Sequence, residues 1–192
     1  MKFQNQTALN DATLLQMFLR HTQPYDHELL HVAVRHTRST PFSGTCYYTD
    51  NRIHVNLGRR NRYPFTLGTH VAKASSGRKE WSREIFRLTV ADAYQLALFI
   101  YLHELFHYLV HAAGRGRMRK EAMCDRFAAR VLVDHYGCTL LDPRGAVPAR
   151  ESWDFKNLHE FVARAPRVRP VAQAARRFIP VRIVGPNFGC NE

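Results

Sequence analysis

The residues best suited to chemistry are His103-Glu104-Leu105-Phe106-His107, a His-Glu-x-x-His pattern within an apolar stretch. Four residues advance an α-helix by about 400° and 6 Å, so on a helix both imidazoles leave one face, a turn apart. Each ring can then offer a nitrogen to a single metal ion, zinc above all. Glu104 is expected at the rim, where its carboxylate can reach a metal-activated water and serve as general base. A catalytic zinc takes three protein ligands and keeps one position for water, so a third ligand must come from elsewhere.

His111 is the next histidine along, but on a straight helix it lies about 12 Å beyond His103 and reads as a helix-end residue. The longer pattern that continues to a glycine and a third histidine fails, because those positions are Val110 and Ala113. Glu121 is the expected third ligand. It opens a second helical stretch, and residues 114–120 give the chain room to turn back. Asp125 lies four residues on, along the same face. It is placed to take the other ring N–H of His103 and fix its tautomer. The candidates for an oxyanion donor are Tyr136, His135 and His159. His135 is ruled out as a further ligand, since an unbroken helix carries it about 21 Å past Glu121.

The elements that must position these groups can be read from periodicity. Leu98, Leu102, Leu105 and Leu109 recur at four, three and four residues, which predicts a helix from about Asp92 to Ala113, with Gly114 as its stop. A second helix is predicted over 119–136, burying Cys124, Ala128, Val131 and Leu132. A first helix is predicted over 8–20, with Leu14, Leu15 and Phe18 on one face and Asn10 or Asp11 as cap. Residues 29–36 read as a strand. Residues 44–49 and 52–57 read as a hairpin turning at Asp50-Asn51, with Ile53, Val55 and Leu57 alternating against His54 and Asn56. The 52–57 strand is the expected sheet edge for an extended substrate. Residues 58–82 read as a long loop, 84–90 as a strand or the approach to a helix, and 155–164 as a short helix. Strands ahead of helices predict an α+β domain over 1–165, followed by a basic Pro/Arg-rich tail over 166–192.

Composition sets the outer limits. A hydrophobic share of 45% is enough for one soluble core. The apolar run Leu96–Leu102 continues into His103, Glu104 and His107, which excludes a membrane span. Cys46, Cys124, Cys138 and Cys190 form no CxxC pair, so neither a zinc ribbon nor a thioredoxin motif is present; Cys190 reads as a surface thiol. Met1 to Arg20 does not read as a secretory leader, and a cytoplasmic protein with reduced thiols is expected. The formal charge of +12 suits DNA or another polyanion as well as a solvated basic surface. Arg59, Arg60 and Arg62, then Arg115, Arg117, Arg119 and Lys120, then Arg164, Arg167, Arg169, Arg176 and Arg177 are the basic segments that could grip phosphates.

The stretches His103-Glu-Leu-Phe-His-Tyr-Leu-Val-His111 and Glu121-Ala-Met-Cys-Asp-Arg-Phe-Ala-Ala-Arg-Val-Leu132 resemble the gluzincin branch of zinc peptidases, and within it the ImmA/IrrE-like family. The resemblance covers about thirty residues. It implies a zincin-like fold, one zinc per chain on His103, His107 and Glu121, Glu104 as general base, and a protein or peptide substrate. The chain departs from that family at Val131-Leu132-Val133-Asp134, where Leu-Leu-Met-Pro is common, and at Cys124-Asp125, where Ala-Asn is common. The hairpin ahead of the motif is also similar to SprT-like proteases, which act on DNA-bound proteins but use a histidine as third ligand. Two further readings stand beside the peptidase. One is a non-catalytic zinc protein whose basic surface binds nucleic acid. The other is a metal hydrolase of deformylase type, which needs a separate cysteine ligand that the sequence does not mark.

Overall fold

Helix formation around the motif follows from burial on every side. In the computed structural model, α2 (Ala93–Ala112) buries each residue from Leu96 to Val110, polar motif residues included. The leucine stripe is therefore one part of a helix enclosed all round, as expected for the central element of a domain. Its start is set by Asp92, whose side chain accepts from the Gln95 N–H at 2.9 Å. The described residues are 1–154 except 24, 26, 27, 74, 77–80 and 114–120. The expected helix at 155–164, His159, the tail, Cys190 and the Gly114 stop all lie outside them.

A mixed α+β architecture surrounds α2. The main sheet has the order β1 (Lys2–Asn5), β2 (His31–Thr37), β4 (Arg52–Gly58), β3 (Phe42–Tyr47). The first two pairings are parallel and the last is antiparallel. The 52–57 strand is thus internal, paired on both sides. Of the two hairpin strands it is β3 that lies at an edge of the sheet, reversing the expectation from the sequence. The reason is that β2 returns parallel to β4 and covers the side that a lone hairpin would leave open. The hairpin itself forms as expected, though β3 begins two residues earlier, and Asn51 takes a left-handed conformation at its turn (φ 48°).

Helix α1 (Asp11–Thr22) connects β1 to β2, so the chain opens with a parallel β-α-β unit that the sequence did not signal. Asn10 caps α1 by accepting from the Thr13 N–H at 3.0 Å, an interaction typically worth about 1 kcal/mol. Phe18 on its inner face stacks on Tyr101 of α2 with ring centroids 4.2 Å apart, while Leu15 is only partly buried. The Tyr101 hydroxyl is satisfied in the core by Thr22 Oγ1 at 2.6 Å.

The 58–82 segment is not one loop. It contains β5 (Phe65–Thr69) and a two-residue ladder, β6 (Ser75–Ser76) with β7 (Trp81–Ser82). Strand β5 pairs antiparallel with β8 (Phe86–Val90), and β8 with β9 (Thr139–Leu141), giving a second small sheet. Helix α3 (Glu121–Tyr136) returns antiparallel along α2. Gln95, near the start of α2, donates to the Tyr136 carbonyl, and His103 meets Asp125 near the other end of α3. A short 3-10 turn, Arg150–Ser152, follows. No helix among the described residues is long and apolar enough to cross a membrane.

Candidate metal centre

Antiparallel packing of α2 on α3 brings three expected residues to one point. Glu121 sets one carboxylate oxygen 3.2 Å from His103 Nε2 and the other 3.2 Å from His107 Nε2. The two Nε2 atoms are themselves 3.2 Å apart. Asp125 lies behind His103, with Oδ1 at 2.7 Å from Nδ1. The other Asp125 oxygen accepts from the His70 N–H at 2.6 Å. The loop after β5 thereby holds the carboxylate that holds the histidine, and Arg126 fastens the same loop through the Val71 carbonyl.

Hydrogen bonding to Asp125 assigns the His103 proton to Nδ1, which turns a lone pair at Nε2 toward His107 and Glu121. Acceptor atoms that face one another this closely repel unless a proton or a cation lies between them. Three carboxylates, those of Glu104, Glu121 and Asp125, adjoin the two rings. Burial pushes the His103 ring down in pKa, but the hydrogen bonds to Asp125 and Glu121 and the nearby carboxylate charges outweigh it and lift it to about 10. Burial likewise pushes Glu121 up, yet the two histidines outweigh it and hold its carboxyl well below the usual range. The donor set fits a divalent cation, whose charge offsets the excess of carboxylates.

Glu104 is 2% exposed, so it is buried rather than at the rim. Its carboxylate takes a hydrogen bond from the Cys46 backbone N–H, while Oε1 is buried without a hydrogen-bond partner among the described residues. Burial is the main reason its pKa rises to about 7, in the range useful to a group that both takes and returns a proton.

Two residues of this site were not marked by the sequence as functional. Cys124, fully buried one turn along α3 from Glu121, forms with His103 and His107 a group whose ligand atoms lie within 4.8 Å of one another and which could hold a metal ion. Burial, with the Glu121, Asp125 and Glu104 charges, holds its thiol well above the usual range. Gly44 on β3 is the second. A Cβ there would meet the Glu104 side chain, at 2.7 Å from Cγ and 2.8 Å from Cδ. Only a glycine lets the edge strand lie this close over the carboxylate. Gly44→Ala is expected to destabilise the fold by about 1–3 kcal/mol through overpacking. Its Tm should fall by roughly 2–10 °C. An unchanged melting curve would show that Glu104 has room to move aside.

Of the expected oxyanion donors, the two described ones, Tyr136 and His135, are not brought to this point. Tyr136 ends α3, with its hydroxyl 3.0 Å from His21 Nε2, and the His135 ring lies 5.7 Å from that of His21. Helix α3 is continuous, so both sit about 20 Å along it from Glu121. His111 likewise stays away from the centre and packs its ring 4.5 Å from that of Tyr48. No family model matches the chain, and comparison with curated proteins and with solved structures finds no match either.

Proposed function

We propose that this chain is a zinc-dependent peptidase with His103, His107 and Glu121 as ligands and Glu104 as general base. The observation that carries the proposal is the convergence of two imidazole Nε2 atoms and one carboxylate within 3.2 Å, beside the buried Oε1 of Glu104, which has no hydrogen-bond partner among the described residues. Two histidines and a carboxylate are a donor set that zinc takes in hydrolytic sites. When bound, zinc supplies Lewis-acid activation of a water and of the peptide carbonyl.

The chain's own residues do the remainder. Asp125 holds the His103 ring in the tautomer that presents Nε2. Glu104 takes one proton from the attacking water and returns it to the departing amine, so the water is divided between a new carboxyl and a new amino group. Strand β3 has a single neighbour, β4, among the described residues and lies directly over Glu104. An extended peptide can pair along that outer edge beside the Cys46 N–H that Glu104 already takes, which sets its backbone near the carboxylate.

A second reading rests on Cys124. If the thiol replaces Glu121 as ligand, the centre has the two-histidine, one-cysteine set of a deformylase-type hydrolase. The purified protein is expected to contain about one zinc per chain by elemental mass spectrometry. It should cleave members of an unstructured peptide library, with loss on chelation and recovery on adding zinc. A chain that stays free of zinc after reconstitution overturns both readings. A zinc-loaded chain that cuts no peptide but removes formyl groups selects the second.

A further inference from the structure

The sheet has a second face, turned away from α2. Strand alternation sends Val32, Val34, Ile53, Val55 and Leu57 inward, where they are buried. The residues between them form three rungs across the sheet on the opposite side. The registers align Lys2, His31, Arg52 and Tyr47 in the first rung, and Gln4, Ala33, His54 and Thr45 in the second. The third runs through Arg35, Asn56 and Ser43. Arg35 Nε donates to Asn56 Oδ1 at 3.1 Å and Asn56 Nδ2 to Ser43 Oγ at 3.1 Å, which ties this rung together. Exposed Arg38 and Arg59 follow at the ends of β2 and β4.

This face holds a groove of about 590 Å³ over the third rung and a smaller one of about 310 Å³ over the first two. Among the described residues five cationic side chains, Lys2, Arg35, Arg38, Arg52 and Arg59, line them, and no Asp or Glu does. The uncompensated field is felt by His54. Burial lowers its pKa first and the Arg35 and Arg52 charges lower it further, to about 4, so the ring stays neutral at physiological pH. His54 Nδ1 is buried without a hydrogen-bond partner among the described residues, and the ring meets Tyr47 edge-on at 4.8 Å.

We infer that this outer face is a binding site for a single-stranded nucleic acid. Cations spread across several strands match a phosphodiester chain, since one compact phosphate could not engage all five. The Tyr47 and His54 rings, partly exposed between them, offer bases a surface to stack on. An open sheet face carries no projecting helix to enter the major groove of a duplex. A bilayer is a poorer match, because Phe3 and Val32, the large apolar residues lining the grooves, pack into the core. Residues 155–192 are a poor cover as well, carrying Lys156 and six arginines against Glu160 and Glu192. The site lies across the sheet from the metal centre and does not depend on the peptidase reading.

The test is fluorescence anisotropy of the full chain with labelled 20-nucleotide single-stranded DNA and RNA over a salt series. Five phosphate contacts predict a slope of log affinity against log salt near about −3.5. Arg38→Gln/Arg52→Gln/Arg59→Gln removes three of them, so the slope should shallow by about 2 and affinity at 0.1 M salt should fall about 100-fold. The control Arg20→Gln/Arg87→Gln/Arg144→Gln makes the same change in net charge away from the face, and it should keep the wild-type slope. Zinc content should stay unchanged in both. Equal losses in the two triple variants overturn the site. So does a duplex bound as tightly as the single strand, or binding to phosphatidylserine vesicles with none to oligonucleotides.

Discussion

In Glu104→Gln, peptide cleavage is expected to fall by about 10²–10⁴-fold, the usual contribution of a general base, while the metal stays bound. The substitution keeps the side chain's shape inside a site that leaves it 2% exposed, so packing against Gly44 survives. It removes the one property the reaction needs from this position, a carboxylate that accepts a proton at one end of the step and returns it at the other. The Nε2 atoms of His103 and His107 and the Glu121 carboxylate face one another, and none of their hydrogen bonds to one another or to Asp125 passes through Glu104. Metal content therefore separates the two roles. Single-turnover cleavage of a peptide library, read by mass spectrometry beside elemental analysis of the same sample, makes the measurement. Wild-type cleavage in the loaded variant sinks the assignment of the base. Joint loss of metal and cleavage would instead give Glu104 a part in holding the site together.

The centre was legible where chemistry and helical period coincide. His103, His107, Glu121 and Asp125 follow from i, i+4 spacing on two helices whose apolar positions recur at three and four residues. The period matters more than the motif. The same pattern occurs at His27-Glu28-Leu29-Leu30-His31, yet residues 28–30 are not helical and His31 opens strand β2.

What stayed hidden depends on contacts distant in sequence. Strand β1 is four residues, too short for alternation to show, and β5 sits among Gly and Arg residues that read as loop. The backbone of His70, just beyond β5, nonetheless holds Asp125 across 55 positions. The sheet edge was misplaced because strand order is a property of pairing. Nothing in the hairpin says which of its strands β2 will join. Tyr136 and His135 were credible donors by residue type alone, and the direction of α3 carries them to its far end. Cys124 was recognised as buried, but its approach to the two histidines depends on how α3 is rotated against α2.

The second large effect decides between Glu121 and Cys124, which stand one turn apart on α3 and cannot contribute equally. Glu121→Ala is expected to strip the metal, lowering affinity by more than the 10–100-fold typical of a residue that only supports a ligand. Cys124→Ala should leave close to one metal per chain. The carboxylate is already ionised by its two histidines, and its oxygens sit 3.2 Å from both Nε2 atoms. The thiol must first lose a proton that burial and three neighbouring carboxylates hold on it. Binding there costs more than at Glu121 before any bond to the metal forms. Stability does not confuse the comparison, because the Glu121 side chain is 41% exposed and its removal leaves no cavity in the core. Elemental analysis of both variants, with melting curves of the metal-free proteins as a check on folding, reads the result directly. Metal kept in Glu121→Ala and lost in Cys124→Ala would make this a two-histidine, one-cysteine centre. Glu121 would then act as a carboxylate beside the metal, and the search for substrates would turn from peptide bonds to formyl groups.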